Sequence, residues 1–135
     1  MSMEIEVDRS KRGVGKTALI VDDNSMIRKT VVSAFLSGGF QTCEEAENGQ
    51  EGVELATEIK PDVIVLDFSM PVLNGLNAAL EIRKTLPSVP IILFTLYADC
   101  VSDRELSRAG INAVMPKTVA ISVLVDMAHE VMLTR

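Results

Sequence analysis

The sequence predicts an α/β fold in which a doubly wound, five-stranded parallel sheet carries helices on both faces. Short apolar segments of strand length alternate with longer segments that have helical periodicity. Such alternation produces parallel strands joined by right-handed crossovers. The chain has 135 residues, of which 47% are hydrophobic and 24% are charged. This size and composition suit one globular domain with a full core.

The first two β/α units are predicted from the hydrophobic pattern. The apolar run at 18–21 has the length of a strand, and the helix predicted at 25–37 ends at two glycines. A short strand is predicted at 40–46 despite its acidic residues. The next helix, at 50–60, has apolar residues at helical spacing and stops before Pro61.

The remaining three units follow the same alternation. The third strand, at 62–67, contains a continuous apolar run, which is typical of a strand covered on both faces. The later elements are predicted as a helix at 74–86, a strand at 91–95, a helix at 99–109, a strand at 111–115 and a final helix at 118–133. Five units of this length fit a flavodoxin-like sheet with the strand order 2-1-3-4-5.

Composition narrows the classes of function. Nineteen acidic residues against thirteen basic ones give a formal charge of -6, which argues against non-specific nucleic-acid binding and permits a divalent cation or a basic partner. The apolar runs are too short to span a membrane, and the N-terminus has no apolar signal region. Cys43 and Cys100 are predicted to be unbridged thiols. We therefore expect a cytoplasmic protein.

Polar residues follow the predicted strands at the ends where parallel sheets bind ligands. Asp22 and Asp23 follow the first strand, and Asp67 ends the third. Three converging carboxylates repel one another and require a cation, and oxygen ligands suit Mg2+ or Mn2+. Thr95 at the end of the fourth strand and Lys117 after the fifth indicate an anion beside the metal. Together these groups are the parts needed for phosphoryl transfer to an aspartate.

A motif near the N-terminus has a competing interpretation. The residues GVGKT at 13–17 look like the end of a phosphate-binding loop. Such a loop needs a glycine separated by four residues from the Gly-Lys pair, and Ser10 stands there. It also needs a helix after the lysine, whereas a strand is predicted here. We therefore predict that residues 1–16 form a flexible basic leader and that the domain spans 17–135.

Four segments, in order and spacing, resemble the motifs of response-regulator receiver domains. They are IVDDN at 20–24, VIVLDFSMP at 63–71, ILFTLYA at 92–98 and VMPK at 114–117. The similarity extends from about residue 17 to the end of the chain, and the motifs are specific as a set. It implies a domain of two-component signal transduction that is phosphorylated by a sensor histidine kinase or a phosphotransfer protein.

The resemblance also implies roles for the residues at the strand ends. Asp67 is the expected phosphoacceptor. Asp23, Asp67 and the main-chain carbonyl of Ser69 are expected to bind Mg2+ or Mn2+, with Asp22 bound through water. Lys117 is expected to pair with the phosphoryl oxygens.

The positions that would relay phosphorylation match the family pattern only in part. Thr95 fits the pattern and is expected to move and hydrogen-bond a phosphoryl oxygen. The aromatic residue usually found three positions before the lysine is Val114 here, and the usually small residue after the switch hydroxyl is Leu96, which we expect to crowd the phosphoryl site. Thr118 replaces the proline that usually follows the lysine. Tyr97 either packs locally or takes over part of the work of the missing aromatic residue.

Three classes of function compete. The favoured one is a phospho-accepting receiver, a signalling module rather than an enzyme. An aspartyl-phosphate hydrolase or phosphatase would need an acid or base two residues after the aspartate, where Ser69 stands. The complete set of acids argues against a pseudo-receiver that only binds proteins, although Leu96 leaves that class open. In receivers the fourth helix, fifth strand and fifth helix commonly form the surface for an output partner or a homodimer, and we expect the same surface here.

Overall fold

The computed structural model describes residues 15–70 and 72–134, and the predicted alternation of strands and helices runs through them. The strands are β1 (Lys16–Val21), β2 (Phe40–Ala46), β3 (Val63–Leu66), β4 (Ile91–Thr95) and β5 (Ala113–Pro116). The helices are α1 (Ser25–Ser37), α2 (Gly49–Ile59), α3 (Gly75–Thr85), α4 (Asp103–Ala109) and α5 (Ile121–Leu133), with a short 3-10 helix at Ala98–Cys100. None of these described helices is long and apolar enough to span a membrane.

Within the described residues the strands form one parallel sheet in the order β2-β1-β3-β4-β5, which confirms the predicted fold class and strand order. Val21 pairs with Leu66, and Leu66 pairs with Leu93, so the ends of β1 and β3 lie at the same level. Thr95 at the end of β4 pairs with Pro116 at the end of β5. Side chains that follow these strands therefore meet at one edge of the sheet, its carboxyl edge.

The sheet separates two apolar layers. One layer packs α2, α3 and α4 against one face, and the other packs α1 and α5 against the opposite face. Because successive strand residues point to opposite faces, Leu19 and Val21 of β1 enter the first layer, whereas Ala18 and Ile20 enter the second. Burial on both faces explains why the central strands are continuous apolar runs in the sequence. Helices thus cover both faces, as expected.

The start of α4 differs from the prediction of a helix from residue 99. The helix begins at Asp103. Ser102 caps it, because its hydroxyl accepts a hydrogen bond from the Glu105 N–H while the Glu105 carboxylate accepts one from the Ser102 N–H, each at 3.1 Å. This capping box delays the helix and leaves residues 96–102 as a loop that contains the 3-10 helix. We call this segment the β4–α4 loop.

Other boundaries move by a few residues. Helix α5 begins at Ile121 rather than at 118. Strand β5 starts later than predicted, because Ile111 donates its N–H to the Leu106 carbonyl and so still belongs to the turn after α4. Strand β1 begins at Lys16, which the prediction placed in the leader. The rest of the leader up to residue 14 lies outside the described residues, so the leader itself stays a prediction.

Asparagines close three of the turns at the carboxyl edge. Asn24, Asn48 and Asn74 cap α1, α2 and α3, and each side chain accepts a backbone N–H three residues later, at 3.0, 2.8 and 2.9 Å respectively. An oxygen at this position satisfies one of the unpaired N–H groups of the first helical turn. The caps therefore fix where each helix starts and so restrain the short segments that carry the site.

Candidate functional site at the carboxyl edge of the sheet

Three carboxylates meet at the carboxyl edge, as the sequence predicted. Asp22 follows β1 and Asp67 follows β3, and their residues are only 3% and 6% exposed. Asp23 is exposed beside them. One oxygen from each of the three lies within 4.8 Å of the others. With Lys117, described next, these residues form what we call the acid–lysine cluster.

Backbone pairing beyond the strand ends holds two of the acids in place. Asp22 donates its N–H to the Ala46 carbonyl at 3.1 Å, and Asp67 donates its N–H to the Val21 carbonyl at 3.0 Å. These bonds continue the parallel ladders of β1 with β2 and β3 by one residue. The Asp22 carboxylate also accepts the Asn24 N–H at 2.9 Å. Two acids on adjacent strands are therefore fixed side by side.

Lys117 pairs with both buried acids. Its Nζ lies 2.7 Å from Asp22 Oδ2 and 3.1 Å from Asp67 Oδ2, and its side chain is 7% exposed. The backbone N–H of Lys117 donates to the Thr95 carbonyl at 3.0 Å, which extends the pairing of β4 with β5. The strand ends thus deliver one ammonium group to the space between two carboxylates.

Burial and charge together set the protonation of the cluster. Burial raises the pKa of Asp67, and the charge and hydrogen bond of Lys117 lower it. The charge of Asp22 raises it again, so that the net pKa of Asp67 lies above its ordinary value. Burial lowers the pKa of Lys117, but the hydrogen bonds and charges of Asp22 and Asp67 outweigh it, so that the net pKa is raised. Lys117 therefore keeps its charge at neutral pH, while the ionised form of Asp67 is costly. A further cation would stabilise the ionised acids.

The donor set of the cluster fits a hard divalent cation. Carboxylate oxygens with solvent on one side suit Mg2+ or Mn2+, which bind few protein groups and keep several waters. Asp23 supplies the solvent-facing carboxylate and Asp67 the buried one. Ser69, whose carbonyl is a ligand only by the resemblance to receiver domains, donates its N–H to Asp67 Oδ1 at 3.4 Å. Its peptide therefore lies next to the cluster, and the ligand role of its carbonyl stays a prediction.

Thr95 is buried beneath the cluster. It has no exposed surface, and its Oγ1 accepts a hydrogen bond from the Tyr97 N–H at 3.1 Å. Burial raises the net pKa of Asp67, and the Thr95 hydroxyl makes a minor opposing contribution. The hydroxyl therefore lies near the expected phosphoacceptor and is bonded to the backbone of the β4–α4 loop.

Leu96 lies on the outer surface of the molecule. The residue is 65% exposed, and the expectation that it crowds the phosphoryl site stays a prediction. The chain turns outward after β4, which also leaves Tyr97 48% exposed. Val114 is half-buried and packs in the apolar layer of α2, α3 and α4. The proposed relay roles of these three residues stay predictions.

Sequence reasoning overlooked Arg28. Its Nη1 donates to the main-chain carbonyl of Asp22 at 2.7 Å, and its Nε donates to Glu45 Oε1 at 2.8 Å. Burial raises the pKa of Glu45, but hydrogen bonds from Arg28 and Lys29 outweigh it and lower the pKa. The sequence does hold a signal for this contact. Arg28 stands one turn into α1, where a long side chain points back toward the helix N-terminus.

Gly75 was also overlooked. A Cβ at this position would collide with the main-chain oxygen of Asp67, and its N–H donates to the Phe68 carbonyl at 2.9 Å. Only a residue without a side chain lets α3 start this close to Asp67. The Asn74-Gly75 pair after the third strand is a signal for a close turn of this kind.

Comparison with known proteins shows the family of this chain. The sequence model of the response regulator receiver domain matches residues 18–129. The chemotaxis protein CheY of Thermotoga maritima is 33% identical to this chain over 118 residues, which make up 87% of this chain and 98% of that protein. The regulatory protein AtoC of Escherichia coli is 39% identical over 93 residues, which are 68% of this chain but 20% of AtoC.

The three-dimensional structure leads to the same family. The crystal structure of the chemotaxis protein CheY4 of Vibrio cholerae superposes with a TM-score of 0.78 at 25% sequence identity, covering 87% of this chain and 98% of that one. The family match covers both buried acids, Thr95 and Lys117, which the fold brings together. The chain therefore belongs to the response regulator receiver domain family of two-component signalling.

Proposed function

We propose that Asp67 accepts a phosphoryl group from a phosphohistidine on a sensor histidine kinase or a phosphotransfer protein, in a reaction that depends on Mg2+ or Mn2+. The observation that carries this proposal is the position of Asp67. Its carboxylate lies buried at the end of β3, 3.1 Å from Lys117 Nζ, and clusters with Asp22 and Asp23. A nucleophilic carboxylate, a lysine and further acids at a strand edge are the groups that phosphoryl transfer uses.

In the transfer, an oxygen of Asp67 forms the new bond to phosphorus, and the N–P bond of the phosphohistidine breaks. The imidazole nitrogen keeps the electron pair of that bond and leaves as a neutral ring when the other ring nitrogen carries a proton. A Mg2+ or Mn2+ ion held by Asp23, Asp67 and the Ser69 carbonyl, with Asp22 reached through water, would neutralise the carboxylates and the phosphoryl oxygens. Lys117 faces the same oxygens with its ammonium group.

The relay to the surface starts at Thr95. A phosphoryl oxygen is a charged acceptor, so it attracts the Thr95 hydroxyl more strongly than a neutral group does. Movement of the hydroxyl toward Asp67 weakens its bond with the Tyr97 N–H, which is 3.1 Å long here. Val114 does not offer the aromatic ring that would fill the vacated space. The β4–α4 loop therefore carries the change to the surface of α4, β5 and α5, where an output partner or a second copy binds.

Mass measurement after incubation with acetyl phosphate and Mg2+ tests the phosphoacceptor. The wild type should gain one phosphoryl group, and Asp67→Asn should gain none. Asp126→Asn, which removes an exposed acid on α5, serves as the matched control and should be labelled like the wild type. Lys16→Ala should also be labelled normally, because we assign GVGKT no role in phosphate binding. Equal labelling of the wild type and Asp67→Asn would contradict the assignment.

A further inference from the structure

Arg28 joins the loop of the two N-terminal acids to the edge of the sheet. It lies one turn into α1, and its side chain is 11% exposed. One N–H group reaches the Asp22 carbonyl at 2.7 Å, and another reaches Glu45 in β2 at 2.8 Å. The guanidinium therefore bridges α1, the end of β1 and the end of β2.

The carbonyl that Arg28 holds belongs to the peptide between Asp22 and Asp23. That peptide is planar, so its orientation fixes the direction in which the backbone of Asp23 leaves the strand. The Asp22 side chain has its own restraints, the ion pair with Lys117 and the bond from the Asn24 N–H. These restraints act on the Asp22 carboxylate, whereas Arg28 acts on the peptide that leads to Asp23.

We propose that Arg28 is a positioning residue for the divalent cation. Its hydrogen bond to the Asp22 carbonyl keeps the Asp23 carboxylate close enough to the Asp67 carboxylate for both to bind one cation. This inference rests on the proposed function, since it concerns the metal that phosphoryl transfer uses. Arg28 acts through the peptide and does not itself contact the metal. Lysine is a poor substitute, because an arginine presents several N–H groups in a fixed plane and so reaches two acceptors at once.

Removal of Arg28 has two opposite effects on the affinity for Mg2+, one through its charge and one through its hydrogen bond. Removal of a positive charge near three carboxylates should tighten the binding of a cation, by Coulomb attraction alone. Loss of the bond to the Asp22 carbonyl should weaken binding, because groups that orient metal ligands are typically worth roughly 10- to 100-fold in affinity. Lys29 is the matched control. It carries the same charge, and its Nζ lies 3.0 Å from Glu45.

The experiment compares the wild type with Arg28→Met, Arg28→Lys and Lys29→Met. The Mg2+ dissociation constant is measured by calorimetry, at a temperature where amide NMR spectra show each variant folded. We expect the constant to rise on the order of tenfold in Arg28→Met and to rise less in Arg28→Lys. It should stay the same or fall in Lys29→Met. Labelling of Arg28→Met by acetyl phosphate should recover at saturating Mg2+, because the lost affinity is overcome by mass action.

Any of four results would overturn the inference. The first is Mg2+ binding in Arg28→Met that is unchanged or tighter than in the wild type. The second is a loss of labelling in that variant that saturating Mg2+ does not restore. If Arg28→Met does not fold, Arg28→Lys decides alone, because it keeps the charge and unchanged affinity would then exclude a positioning role. A wild-type chain that binds no Mg2+ would overturn the proposed function and this inference with it, so the wild-type titration separates the two failures.

Discussion

The acid–lysine cluster and the β4–α4 loop differ in how firmly the fold holds them. In the cluster, Asp22, Asp67 and Lys117 are joined by ion pairs of 2.7 and 3.1 Å, and each donates its backbone N–H to a neighbouring strand. The loop instead exposes two large side chains, and its 3-10 helix is closed by a bond of 2.9 Å from the Cys100 N–H to the Tyr97 carbonyl. The cluster is therefore bonded directly to the strands, whereas the loop contacts β4 and β5 but leaves large side chains in solvent.

Under the proposed function, this difference suits the two regions to separate tasks. Phosphoryl transfer needs reacting groups that are already in place, which buried ion pairs and strand pairing supply. A relay needs a segment that changes its arrangement at low cost, and exposed segments with few contacts have low local stability. The departures from the family pattern, Leu96 and Val114, lie in the loop and in β5, which contacts the 3-10 helix. We expect substitutions in the cluster to affect stability and chemistry, and substitutions in the loop to affect communication.

The largest effect is expected for Lys117→Met. This change leaves two buried carboxylates without their shared cation, and breaking a buried ion pair costs about 3–5 kcal/mol of unfolding free energy. Chemical denaturation without divalent ions measures the loss. Added Mg2+ should recover more stability in this variant than in the wild type, because a second cation can neutralise the same acids.

Lys84→Met is the control for that experiment. Lys84 pairs with Glu81 at 2.9 Å on the exposed surface of α3, where such pairs contribute less than about 1 kcal/mol. Equal losses of stability in the two variants would show that the cluster is held no more firmly than the protein surface.

Gly75→Ala tests whether the close packing of α3 against the Asp67 main chain holds the cluster in place. The added Cβ would collide with the Asp67 carbonyl, and a main-chain atom cannot rotate away. We expect a loss of about 2 kcal/mol in unfolding free energy and weaker labelling by acetyl phosphate. In Gly52→Ala the new Cβ meets the Val21 methyl groups at 2.9 Å, and a side chain adjusts more easily. Labelling that survives in Gly75→Ala and fails in Gly52→Ala would reverse this argument.

The grouping of the cluster residues could be predicted from the sequence, because a general rule says where the ends of parallel strands lie. Parallel strands bring their carboxyl ends to one edge, so Asp22, Asp67 and Lys117 could be grouped from their positions after strands alone. The loop follows no such rule. The start of α4 depends on a capping box at Ser102, which the apolar pattern did not weigh, and the exposure of Leu96 depends on the path of the chain after β4.

The contact of Arg28 was missed for a related reason. Hydrophobic periodicity says which face of α1 is buried, but a hydrogen bond from a side chain to a main-chain carbonyl depends on side-chain direction. The same holds for Gly75, whose importance lies in an atom that it lacks. Pattern analysis therefore finds the groups that carry charge at the site, and the structure is needed for the residues that hold them in place.

A smaller effect is expected from pH, and in this comparison it concerns the cluster and not the β4–α4 loop. Because the pKa of Asp67 is raised on folding, the native state binds this proton more tightly than the unfolded state does. The destabilisation by ionised Asp67 is absent below its unfolded pKa and develops as the pH rises through its folded pKa. Asp67→Asn should therefore raise the melting temperature by a few degrees at pH 7, and this gain should shrink toward acidic pH.

Calorimetric melting curves of the wild type and Asp67→Asn over a pH series measure this dependence. Asp126→Asn provides the comparison, because it removes one charge from the exposed face of α5. Its difference from the wild type should stay small at every pH. A gain in Asp67→Asn that is constant down to acidic pH would show that ionisation of Asp67 is not its cause.

The smallest effect on stability is expected for substitutions in the relay. They should alter the populations of the conformations of the β4–α4 loop and leave the free energy of unfolding nearly unchanged. With beryllofluoride as a phosphoryl mimic, amide NMR signals of the β4–α4 loop and of α5 should shift in the wild type. The exposed Val123 on α5 is a suitable probe of that surface. Thr95→Val removes the hydroxyl that accepts the Tyr97 N–H, whereas Thr95→Ser keeps it. We expect the mimic to shift the loop in Thr95→Ser and to leave it largely unmoved in Thr95→Val.

Tyr97→Ala then separates the loop from its side chain. The backbone bond to Thr95 survives this change, so a relay through the backbone should persist, while a relay through the exposed ring should be lost. Light scattering, with and without the mimic, measures whether the change reaches self-association. A tenfold shift in affinity needs only about 1.4 kcal/mol, which one rearranged side chain can supply. If beryllofluoride binds and moves only the pocket in the wild type, the loop has no role in the relay, and the firmly held cluster would have to signal by another path.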